Sequence, residues 1–94
     1  MYCHRLYVGV EGVGEGVIEE VTANFGRNAL NFTAYRAVGE WGGKRELCIV
    51  YEVIIEENAP PWSLRLLARD SFAFFNQQAV LYTCHQVEAS IWEV

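Results

Sequence analysis

The stretch NFTAYRAVGEWGGKRELCIVYEVIIEE, from Asn31 to Glu57, reads as a strand, a glycine-rich reversal and a second, longer strand. Leu47 to Ile55 is apolar on both alternating faces except at Glu52, the pattern of a strand buried in the middle of a sheet. Before it, Leu30 to Val38 sets Phe32 and Ala34 against Thr33, Tyr35 and Ala37. This first run is more polar and belongs at an edge. Gly39 to Lys44 makes the reversal, because adjacent glycines allow positive φ. Trp41 then stands at its tip, partly exposed.

A central strand needs neighbours and cover. Upstream, Tyr2 to Val10 alternates, with Leu6, Val8 and Val10 on one face and Cys3, Arg5, Tyr7 and Gly9 on the other. Glycines at 12, 14 and 16 break the pattern until Val17, Ile18, Val21 and Phe25 recur at helical spacing, with Gly26 as the expected stop. Downstream, Glu56 to Pro61 ends the central strand. Ser63 is the expected N-cap of a helix that buries Leu64, Leu67, Ala68, Ser71, Phe72 and Phe75, with Arg65, Arg69, Asp70 and Asn76 on its other side. Asn76 to Gln78 closes that helix, Ala79 to Val87 alternates as a fourth strand, and Ile91 and Trp92 suggest that the tail, Glu88 to Val94, packs on something.

The order β-α-β-β-α-β is the split-βαβ pattern of an α+β, ferredoxin-like domain: a four-stranded antiparallel sheet with two helices on one face. It predicts the first and third strands side by side at the centre, running parallel, with the second and fourth outside. One domain accounts for residues 1–94. If Leu6 and Val8 face the helices, the open face carries Arg5, Tyr7, Cys48, Val50 and Glu52. That face is too apolar to stay bare, and a homodimer or higher homo-oligomer built through it is the expected resolution.

Composition narrows the function classes. At 52% hydrophobic and 14% aromatic residues the chain has material for a packed core. Seven basic residues against twelve acidic give a net charge of −5, which disfavours nucleic acid, since phosphate binding rests on Lys and Arg releasing counterions. The same excess suits a basic protein partner. No apolar run reaches the roughly 20 residues of a membrane span, and the N-terminus lacks a signal peptide's apolar core, so a cytoplasmic protein is expected. Cys3, Cys48 and Cys84 are odd in number and each lies in a strand-like run, which reads as reduced thiols.

Within FTAYRAVGEWGGKRELCIVYEVI, the later helix and QQAVLYT, four features stand out: an aromatic strand, a G-x-W-x-G turn, a glutamate before an apolar strand, and a helix ending in Gln-x-x-Val-Leu. This part, roughly the last two thirds of the chain, resembles a family of small bacterial and phage proteins known as the DUF3574 type. The resemblance implies an α+β fold and a phage origin, and it supplies no activity and no catalytic residues. A phage origin in turn suggests interference with a host defence system, by docking on a defence protein or by sequestering a signalling nucleotide.

The chemistry-bearing residues are few. Cys3-His4 and Cys84-His85 can meet across antiparallel strands, but neighbours on a strand point to opposite faces, so each face receives too few ligands for a structural zinc site. Packing and surface histidines are the simpler reading, and no cofactor is called for. The run from Gly9 to Gly16 fits neither phosphate-loop spacing, and Glu11 and Glu15 repel anions, which leaves a flexible connection or a lid. Glu52 beside Arg5 or Tyr7 suits either an interfacial salt bridge or a small-molecule site. Arg36, Lys44 and Arg45 flank the hairpin and can meet an anionic ligand or an acidic partner. Arg5, Tyr7, Arg36, Trp41, Lys44, Arg45 and Glu52 are therefore the candidate residues for binding a host protein or a small anionic ligand. The competing expectation is a small enzyme using Glu52, His4 or His85 as acid or base.

Overall fold

A computed structural model describes residues 1–29 and 31–93. The elements follow in the expected order: β1 (Tyr2–Gly9), α1 (Glu15–Asn28), β2 (Thr33–Trp41), β3 (Lys44–Ile55), α2 (Trp62–Phe74) and β4 (Leu81–Gln86). The sheet order is β2-β3-β1-β4, which makes the domain ferredoxin-like, with β3 and β1 central and β2 at an edge.

One expectation about the sheet is wrong. β1 and β3 are adjacent at the centre, but they run antiparallel, pairing Arg5 with Glu52 and Tyr7 with Val50. The cause is topological. The crossover through α1 sets β2 parallel to β1, and the β2–β3 hairpin then turns β3 back between them.

The hairpin is tighter and longer than the sequence indicates. β2 continues to Trp41 and β3 begins at Lys44, so the turn is Gly42 and Gly43 alone, at φ of 57° and 79°. Two successive positive φ values define a two-residue turn whose twist matches that of the flanking strands. Leu30, the expected start of β2, lies outside the described residues.

Both helices cover one face. Leu6, Val8, Ile49, Tyr51 and Val53 of the central strands meet Ile18, Val21 and Phe25 of α1 and Leu64 and Leu67 of α2. Tyr51 is fully buried, its hydroxyl hydrogen-bonded to Thr22 Oγ1 at 2.7 Å and its ring edge-on to Phe25. α1 runs through Gly26 to Asn28 instead of stopping there. The bare Cα serves packing, since a Cβ at Gly26 would lie 3.3 Å from the Phe32 ring, which itself stacks edge-on against Phe25.

α2 departs from expectation at both ends. Pro61, extended at φ −64° and ψ 146°, is the N-cap, and Ser63 is buried in the first turn. Proline already has the φ that a helix entry wants. At the other end Phe72 is 67% exposed while Phe75 is buried. The inward stripe is Ser63, Leu64, Leu67 and Ser71, and a residue following Ser71 points about 100° away from it. Asn76, at φ 56°, stops the helix, and the Gln77 N–H closes on the Ser71 carbonyl at 3.2 Å.

Candidate functional site

The face of the sheet away from the helices is built by simple alternation. Leu6 and Val8 point into the core, so Cys3, Arg5, Tyr7 and Gly9 point the other way, and the register brings Cys48, Val50, Glu52 and Ile54 of β3 beside them. β2 contributes Thr33, Tyr35, Ala37 and Gly39, and β4 contributes Leu81, Thr83 and His85. The placement of Arg5, Tyr7, Cys48, Val50 and Glu52 matches the sequence reading.

At the centre of this face Arg5 Nε donates to Glu52 Oε2 at 2.6 Å. That bond holds the guanidinium proton more tightly than usual, raising the Arg5 pKa. Cys3 and Val50 beneath the pair are only 1% exposed. Burial, and next the Glu52 charge, push the Cys3 thiol up, and burial does the same to Cys48. Tyr35 is raised too, first by desolvation, with Arg5 pulling the other way. Thr83, the register partner of Arg5, has a buried Oγ1 with no hydrogen-bond partner among the described residues.

The rim is apolar and open. Tyr35, Trp41, Ile54 and Leu81 are each about two-fifths exposed. Trp41 lies back over Gly39, where a Cβ would sit 2.7 Å from its Nε1, so the glycine makes the seat for the indole. The ring walls a cleft of about 370 Å³ that Tyr7, Glu46, Gln77 and Leu81 also line. At the opposite end Glu52 and Ile54 line a wider groove with Phe32, Thr33 and Ile91.

The seven candidate residues do not form one cluster. Arg5, Tyr7, Glu52 and Trp41 share the open face, and Lys44 is the register partner of Trp41 at its end. Arg36 leaves it: its Nη2 donates to Glu15 Oε2 at the start of α1, at 2.5 Å. Arg45 Nη2 reaches Glu40 Oε1 at 3.5 Å. Sequence reasoning did not single out Tyr35, Ile54, Leu81 or Thr83, although period-two alternation from Leu6 and Val8, carried across the register, places all four.

The two Cys-His pairs do meet. β1 and β4 set Cys3 opposite His85 and His4 opposite Cys84, on opposite faces. His85 is exposed, but His4 is not the surface histidine expected: it is fully buried. Alternation carries it to the core side with Leu6. Its Nε2 donates to the Glu57 carbonyl at 2.8 Å, and its Nδ1 is 2.7 Å from the Tyr82 hydroxyl. Cys84 Sγ lies 3.5 Å from Asn58 Oδ1. Among the described residues no three His, Cys, Asp or Glu side chains gather as metal ligands.

The glycine run is tied to β3 at its start, where Glu11 Oε2 accepts the Leu47 N–H at 3.2 Å and the Val10 N–H meets the Leu47 carbonyl at 3.0 Å. The tail does not pack as expected: Ile91 is 96% and Trp92 83% exposed, and Val94 lies outside the described residues. Among the described residues no helix is long and apolar enough to cross a membrane.

No family model and no curated protein matches the chain. Among solved structures it is similar to a de novo designed protein with a ferredoxin fold, studied by solution NMR, at 19% identity and a TM-score of 0.49, over 99% of this chain and 90% of that one. It is also similar to a mutant of CutA1 from Pyrococcus horikoshii, at 13% identity and a TM-score of 0.49, over 97% of this chain and 87% of that one.

Proposed function

We propose that this is a non-catalytic binding protein which pairs with a second copy through the open face of its sheet and docks on a protein partner with the surface left outside that pair. The open face carries this reading. Four large apolar side chains, Tyr35, Trp41, Ile54 and Leu81, stand uncovered around a centre that holds one ion pair and one unmet hydroxyl. A patch of that kind on a small chain marks an interface.

The state of the arginines favours a protein over a signalling nucleotide as the partner. Arg5, Arg36 and Arg45, the cations that a phosphate would need, each already face a carboxylate: Glu52, Glu15 and Glu40. A bound nucleotide would have to displace three acids. Interference with host defence from the cytoplasm of an infected cell is the setting that the family resemblance implies, and docking on a defence protein is the form of it that these pairings support.

Native mass spectrometry of the purified chain, with and without Tyr35→Glu, tests the reading. The expected result is a dimer of 10.7-kDa chains that the substitution splits, with circular dichroism unchanged. A bare monomer at tens of micromolar, on the order of concentrations where a standard-size interface holds, sinks it.

A further inference from the structure

We infer that the outward stripe of α2 is a docking surface for an acidic amphipathic helix of another protein. Trp62, Arg65, Arg69 and Phe72 fall at i, i+3, i+7 and i+10, the spacing of a seam along one side of a helix. With a rise of about 1.5 Å per residue, the two aromatic ends stand about 15 Å apart. Trp62 is 70% and Phe72 67% exposed, and both arginines between them are exposed.

Two large aromatic rings left in water at either end of a two-cation stretch have no duty in the core. That core is served by Ser63, Leu64, Leu67 and Ser71 on the other side of the helix. A sheet-to-sheet dimer leaves the stripe free, because the helices lie on the opposite face of the sheet. The inference rests on the reading that the chain works by docking on a protein, and it names where and on what.

Charge decides the partner's chemistry. The chain as a whole carries −5 and would select a basic partner, but α2 is locally the reverse. Its only acidic residue, Asp70, turns towards α1, where Asn24 Nδ2 donates to Asp70 Oδ2 at 3.2 Å and the Asp70 side chain is 14% exposed. Arg69 stays 74% exposed, at 3.9 Å from Asp70, and is only loosely engaged by it. Arg65 has no carboxylate within ion-pair distance among the described residues. A helix that places apolar side chains over Trp62 and Phe72 and carboxylates over Arg65 and Arg69 would satisfy all four at once. Two cations in an otherwise acidic surface are too few for a nucleic-acid backbone.

The test uses the full chain and a pair of synthetic helical peptides. Both carry leucine at the positions facing the two aromatics; one has glutamate and the other lysine at the positions facing the arginines. Isothermal titration calorimetry is expected to show the glutamate peptide bound at least about tenfold more tightly than the lysine peptide, with the preference reversed in Arg65→Glu/Arg69→Glu and binding weakened in Trp62→Ala. Circular dichroism checks that these surface variants stay folded. Equal binding of the two peptides, binding of neither, or a stronger response to phosphatidylserine vesicles than to the glutamate peptide overturns the proposal. Sedimentation of the same samples keeps the two readings apart: a monomer that still prefers the glutamate peptide defeats the sheet-face dimer and leaves the α2 surface standing.

Discussion

The buried ring of His4 shows how one residue fixes a whole corner of the molecule. A carbonyl can only accept, so the 2.8 Å contact with Glu57 puts the proton on Nε2. In the neutral ring Nδ1 then accepts from the Tyr82 hydroxyl, and β1, β4 and the exit from β3 are tied together through one imidazole. Tyr82→Phe leaves Nδ1 buried without a donor and is expected to cost about 1–3 kcal/mol, read as a lower urea midpoint at unchanged slope. His4→Leu, which strands both Tyr82 and Glu57, should cost more than Tyr82→Phe. The thiols give a second residue-level expectation. Cys3 and Cys48 are buried with raised pKa values, against an ordinary value of 9.0, so the folded chain holds their protons longer than the unfolded chain does. Their contribution to stability is complete below the unfolded pKa and is lost as pH rises from there through the folded one. Stability should therefore decline on the alkaline side, and iodoacetamide mapping at neutral pH should label the half-buried Cys84 before either of the others.

At the scale of elements, the hairpin bears the sharpest local constraint. Gly42 and Gly43 both have positive φ, and nothing lies within 4 Å of where a Cβ would point, so backbone conformation alone sets the cost of a side chain. Gly42→Val should lower stability by about 1–2 kcal/mol in thermal melts, whereas Gly42→Asn should be close to neutral, because asparagine tolerates the left-handed region. The architecture was legible for a related reason: the local patterns carry it. Apolar residues on both faces of β3 announced a central strand, the polar β2 an edge, and the parity of Leu6 and Val8 the residues of the open face. What stayed hidden depended on distances between elements. Nothing in the sequence says that Arg36 meets Glu15, or that Gly26 makes room for Phe32 instead of ending α1. Phe72 misled because the helical stripe was drawn one residue too wide. His4 was missed although the parity that placed Leu6 in the core also places it there. The relative direction of β1 and β3 was misread because a split crossover reverses the strand inserted within it.

At the scale of the whole molecule the sheet has one face covered by helices and one not, and the proposed pairing through the second face makes a demand on its charges. Arg5 and Glu52 sit on the two central strands, so in the proposed pair a two-fold axis lying between the two sheets and parallel to those strands would set each against its opposite in the second copy. Isologous contacts require this self-complementarity, and a face bearing a lone charge at that point would repel its own mate. Arg5→Glu places two carboxylates beside each other within one chain and four about the axis; Glu52→Arg does the same with guanidinium groups. Each single reversal is expected to abolish the dimer, and the double variant Arg5→Glu/Glu52→Arg, which rebuilds the pair with its sense inverted, to restore most of it. Thermal melts across a hundredfold range of protein concentration read the outcome, because only an associating chain melts at a temperature that rises with concentration. Wild type and double variant should show that rise and both single variants should lose it. A wild-type melting temperature independent of concentration would show that the open face meets no second copy.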